Sequence, residues 1–195
     1  ARFGATATIK LTPMFFDGNG YAPLAAVKLE TPYEGDTVIS PSSTMIAGRL
    51  TGPESRQIGY VLRRVDATKA EPSYRIRVPE IGRICMKGAK PSFSFDERYL
   101  VTHHYVEAED FEEHGFGTEE DQGWKDLRDK GSANIWLGDL RTGAKRRITN
   151  MGPGQYALFP HFRSDGWIYF LVRDTNDGKE YVVASDAAVA RHDEE

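Results

Sequence analysis

Two histidines stand side by side in PSFSFDERYLVTHHYV, residues 91–106. Imidazoles are the side chains most often used for metal ligation and proton transfer near neutral pH. His103 and His104 sit near the end of an apolar run, and adjacent residues of a strand point to opposite faces. The pair therefore cannot ligate one metal from regular strand geometry. One ring is expected to face a neighbouring layer and the other to face outward, both in structural or surface roles. His104 and Glu107 make an HxxE, a spacing too common to carry weight, and there is no HExxH. His114 lies in a strongly acidic stretch. Cys85, in GRICMKGAK, is the single cysteine of the chain. It excludes an internal disulfide or a cysteine-rich metal centre, and a small buried hydrophobe is the expected role.

DTNDGKE (174–180) resembles a calcium loop in its alternating acids but lacks the full spacing and the distal glutamate. A hairpin turn explains it as well. No G-x-S-x-G elbow, P-loop or dinucleotide fingerprint occurs. No catalytic residue is assigned, and neither an enzymatic activity nor a cofactor is expected. NMGPGQYALFPHF (150–162) places Tyr156, Phe159 and His161 around a Gly-Pro loop, where aromatics suit a protein interface. Packing of these rings between layers is the competing reading.

The elements that must position these residues come from a chain of 195 residues, 39% hydrophobic and 11% aromatic, which indicates a folded protein with a core. No apolar run approaches the roughly 20 residues of a membrane-spanning helix. No secretory leader pattern opens the sequence, and ARFGATATIKL reads either as a processed terminus or as an arbitrary boundary. The net charge of −4 is uneven. Residues 107–131 hold ten acids and three bases, a net of −7, whereas residues 56–90 hold nine bases and three acids. The acidic segment is the most distinctive surface, and Glu112, Glu113, Glu119, Glu120 and Trp124 are its candidate partner-binding residues. The basic stretch lacks a stripe or stacking aromatics, so nucleic acid is not an expected partner.

Short runs rich in Val, Ile, Tyr and Phe, bounded by Gly, Pro, Asp and Ser, predict strands at 58–65, 74–78, 98–106, 134–140, 167–172 and 180–185. DQGWKDLRDKG is the one stretch that predicts a helical turn. PSFSFDERYLV (91–101) aligns with PHFRSDGWIYF (160–170), and ISPSSTMIA (39–47) is a fainter third copy. Ile39, Phe93 and Phe162 then occupy one position. The next aromatic-bearing strand follows 19 residues after Ile39 and after Phe162, but 42 after Phe93. The excess is close to the length of segment 107–131, which reads as an insertion into a regular repeat. Each unit is a strand, a polar turn, a second strand, a loop and further strands, too apolar to stand alone.

These units resemble the P-x-[FW]-S-P-D-G hairpin of TolB-type, WD40-like propeller repeats, and ANIWLGDLRTGAKRRIT is similar to the strands that follow it in that family. The resemblance covers roughly residues 36–187. Phe95 stands in place of the proline, Glu97 in place of the glycine, and Ser42-Ser43 in place of Asp-Gly. It implies an all-β, β-propeller-like stack of three to four four-stranded antiparallel blades, incomplete or closed by another chain. The expected organisation is one domain over 1–195, with repeat units near 36–90, 91–150 and 151–190. The resemblance further implies a periplasmic or extracellular bacterial scaffold that binds other protein subunits within an envelope or surface assembly. Two alternatives stand beside it: the propeller portion of a prolyl-oligopeptidase-like hydrolase, and a metal-binding propeller using His103 or His104 with acids of the insertion.

Overall fold

The computed structural model describes residues 3–189, so the first two residues of ARFGATATIKL and the final Ala190 and RHDEE lie outside the described part. The protein is all-β apart from one α-helix and one 3-10 turn among the described residues. It divides between Lys87 and Gly88 into two compact units.

The first unit carries a four-stranded antiparallel sheet of β5 (Glu34–Ile39), β6 (Met45–Thr51), β7 (Ile58–Arg64) and β10 (Glu80–Ile84), in that spatial order. Before it, β1 (Thr8–Leu11) pairs with β4 (Val27–Glu30), and between them β2 (Met14–Phe16) pairs with β3 (Tyr21–Pro23). The opening stretch thus forms four strands, arranged as two short ribbons. β8 (Asp66–Ala70) and β9 (Ser73–Arg77) make a further hairpin between β7 and β10. Glu34 is buried and ion-paired with Arg63, fixing the start of β5 against β7.

The second unit begins with β11 (Ala89–Phe93), β12 (Tyr99–Tyr105), β13 (Ala133–Asp139) and the edge strand β14 (Lys145–Arg147), an antiparallel meander. β15 (Gln155–Phe162), β16 (Ile168–Asp174) and β17 (Lys179–Ser185) form a second meander, tied to the first by one parallel pair, Ala133 with Tyr156. Alternation along β12 and β13 sends Tyr99, Val101, Ile135 and Leu137 to one face, where they meet Ala157, Ile168, Phe170 and Val172. Each large side chain so buried contributes about 1.5–3 kcal/mol, which makes this seam the core of the unit. His104, Thr102 and Trp136 point to the opposite face.

The first strand of the four-stranded sheet and the first strands of the two meanders, which join in one seven-stranded sheet, share a backbone signature. β5, β11 and β15 each carry one extra residue relative to their partners, a β-bulge, between Gly35 and Val38, Ala89 and Ser92, and Leu158 and His161. Asp36, Lys90 and Phe159 occupy the bulges with φ of +40°, +51° and +53°. Seven residues later the hairpin turns place Ser43, Glu97 and Gly166 at φ of +61°, +60° and +83°. The preceding side chain caps each turn: Ser42 accepts from the Thr44 amide, Asp96 from the Arg98 amide and Asp165 from the Trp167 amide. Ser43 and Glu97 therefore take the same left-handed conformation as the glycine, at a cost of about 1–2 kcal/mol each.

Candidate functional site

The two histidines at the end of β12 lie in different chemical surroundings. His103 faces the core side, 2% exposed, and its Nδ1 accepts a hydrogen bond of 3.3 Å from the Phe159 amide. That bond is available because the β15 bulge frees the Phe159 N–H from the sheet ladder. The His103 ring meets Tyr105 and Phe159 edge-on, at 5.5 and 5.4 Å. Tyr105 in turn approaches Tyr156, whose hydroxyl donates to the Lys130 carbonyl over 2.9 Å. Gly131 is obligatory beside it: its φ is +75°, and a Cβ there would lie 2.4 Å from the Tyr156 hydroxyl. Tyr105 and Phe159 each remain 47% exposed and rim an aromatic surface over a buried imidazole.

His104, on the opposite face, is also buried, at 7%. This corrects the expectation that one histidine of the pair faces outward. The chain leaving β12 turns back at once, with the Asp110 amide bonded to the Glu107 carbonyl, and segment 107–131 covers that face. The turn brings the Asp110 carboxylate, 3% exposed, within 2.8 Å of His104 Nε2. The same oxygen accepts from the Glu107 amide at 2.8 Å. The ligand atoms of His104, Glu107 and Asp110 all lie within 4.8 Å of one another. Glu107 is exposed and forms the open side of the group.

A small apolar centre holds this turn in place. Trp124 is fully buried among Phe111, His114 and Phe116, with ring centroids 6.4, 5.8 and 5.7 Å away. It projects from α1 (Gln122–Lys130), whose N-terminus is capped by the Asp121 carboxylate accepting from the Gly123 amide. Burial and the positive field of Arg147 push His114 down to about 4, so it is neutral at physiological pH. Among the described residues, Trp124 Nε1, Trp136 Nε1 and Arg147 Nη1 are buried and have no hydrogen-bond partner.

The predicted contact residues divide accordingly. Trp124, expected on the acidic surface, belongs instead to the interior, because the segment folds around it. Glu112 and Glu119 are exposed. Glu113 is ion-paired with Lys145 on β14, and Glu120 with Lys125, both at 2.6 Å. Phe159 packs on His103 and Tyr156 on Tyr105, while His161 is exposed and stacks on Tyr169 at 6.2 Å. Cys85 is exposed, which corrects its expected burial: β10 is an edge strand, and Cys85 lies just past its end. DTNDGKE forms the turn between β16 and β17, with Asp174 and Asp177 accepting from the Asn176 and Lys179 amides. Asp110 and Tyr105 were missed, and Glu107 was set aside because its spacing from His104 is common. The i, i+3, i+6 spacing from His104 to Asp110 was the available signal, but it points to a common face only once the turn is known.

No protein-family model matches the chain, and no curated protein matches it. Among solved structures it is similar to TolB from Acinetobacter baumannii, at 12% identity and a TM-score of 0.36, over 88% of this chain and 48% of that one. It is also similar to the β-propeller domain of the Trilobed protease from Pyrococcus furiosus, which has an open velcro topology. There the identity is 12% and the TM-score 0.26, over 78% of this chain and 40% of that one. The chain spans about half the length, or less, of these two structures.

Proposed function

We propose that the chain is a β-propeller-like scaffold, or a portion of one, that binds other protein subunits in a bacterial envelope or surface assembly. One observation carries the reading: the left-handed bulge and the left-handed turn recur seven residues apart at Asp36/Ser43, Lys90/Glu97 and Phe159/Gly166. Three strand meanders built on one backbone signature are what blade repetition requires, and repeated blades use their loops for binding. Segment 107–131 is then an insertion into the middle blade. Its outer acids Glu112 and Glu119, together with the rim of Tyr105, Tyr156 and Phe159, supply the contact surface. Exposed aromatic anchors suit a protein partner, and the exposed acids suit one with basic residues.

The test is native mass spectrometry of the purified chain, alone and after incubation with envelope extract of its source. The expected result is a defined complex that is lost in Phe159→Ala and weakened in the double variant Glu112→Lys, Glu119→Lys. A complex indifferent to all three substitutions, or none at all, overturns this surface assignment.

A further inference from the structure

We propose that His104, Glu107 and Asp110 bind one divalent cation, of the kind taken by mixed imidazole and carboxylate ligands, with zinc as the reference ion. The site goes beyond the scaffold reading and stands without it. Three observations place it. The donor atoms already lie within 4.8 Å of one another, and His104 Nε2 and Asp110 Oδ2 are 2.8 Å apart. Two donors on metal bonds of about 2.1 Å are separated by about 3.0 Å in an octahedral shell and about 3.4 Å in a tetrahedral one. The buried pair therefore needs to open by only a few tenths of an ångström, while the exposed Glu107 side chain closes in from the solvent side.

The donor chemistry agrees. The turn brings two carboxylates together beside an imidazole, a donor set that suits a divalent cation. Support around the ligands is also present: the Glu107 amide holds Asp110 Oδ2, and Phe111, next in the chain, packs toward Trp124. With three protein ligands and one open side, water or a partner's side chain completes the shell.

The cation joins the end of β12 to the first turn of segment 107–131, so its consequence is order in that segment. Tag-free full-length chain, stripped with chelator, is titrated with zinc by calorimetry and followed by thermal melting. One equivalent is expected to bind, with a rise in melting temperature of about 5–10 °C at a hundredfold excess over Kd. Glu107→Gln, at an exposed position that leaves the fold intact, should weaken binding at least tenfold, and Asp110→Asn should abolish it. His161→Gln, at an exposed histidine elsewhere in the second unit, should change nothing. Cobalt in place of zinc should give a d–d absorption band that Glu107→Gln shifts. No binding, or stoichiometric binding unchanged in Glu107→Gln, overturns the site; if Asp110→Asn fails to fold, Glu107→Gln alone decides.

Discussion

The guanidinium of Arg98 lies 3.0 Å from the carboxylate of Asp139, with both side chains more than nine-tenths buried. The contact joins the turn that precedes β12 to the turn that follows β13. Asp139 also accepts from the Arg141 and Thr142 amides, so one carboxylate organises two loops. Burial pushes its carboxyl up, but the Arg141 amide, the Arg98 guanidinium and the Thr142 amide outweigh this and hold it below the usual carboxylate range.

Replacing Asp139 with alanine should destabilise the second unit by about 3 kcal/mol, because a buried cation loses its carboxylate. The sign with pH follows from the lowered carboxyl. Its contribution is fully present above the unfolded value near 3.9 and is lost as pH falls through the folded value. Urea denaturation at pH 7 and near pH 3 should therefore show the wild type losing its advantage over Asp139→Ala in acid. An equal difference at both pH values would refute the assignment.

The turns make a paired test. Gly166→Ala places a Cβ at φ +83° and 3.1 Å from Val189, and should cost about 1–2 kcal/mol. Ser43→Gly removes the same strain where it already exists, and should be neutral or stabilising by up to about 1 kcal/mol. Chemical denaturation of the two variants reads the difference, and opposite signs are the expected outcome.

Trp124 holds segment 107–131 by burial alone. Trp124→Ala should destabilise the segment by about 3–5 kcal/mol. Hydrogen exchange should show residues 107–131 losing protection while β13 and β16 keep theirs.

The ion pair between Lys145 and Glu113 crosses from β14 to the same segment but lies in solvent. Lys145→Ala should change stability by no more than about 0.5 kcal/mol in a thermal melt. A large effect there would mean that charge, rather than Trp124, anchors the segment.

Much of this arrangement was legible in the sequence. All six predicted strands formed within two residues of their expected ends, because alternation of apolar residues fixes a strand and its faces together. The alignment of Ile39, Phe93 and Phe162 was legible too, since the turn residues repeat with it. The bulges were not, because Asp36, Lys90 and Phe159 share no chemistry; only the backbone is common to them. The burial of His104 and Trp124 was hidden for a different reason. A segment with ten acids reads as solvated, and its net charge masks the few apolar residues that make it fold back. Cys85 failed as an expectation because preference for the interior is an average over environments, and this one ends an edge strand.

The opposed faces of β12 also constrain how this chain can change over generations. His103 and His104 are one peptide bond apart, yet one belongs to the core side and the other to the acidic segment. Deleting or inserting a single residue within the strand would exchange their surroundings wholesale, carrying Tyr99 and Val101 to the opposite buried face and Leu100 and Thr102 into the seam. Substitutions are judged one side chain at a time, whereas a change of length is judged on every side chain at once. β12 should therefore keep its length among descendants of this sequence, and the tolerated changes of length should collect in the loops beyond Tyr105.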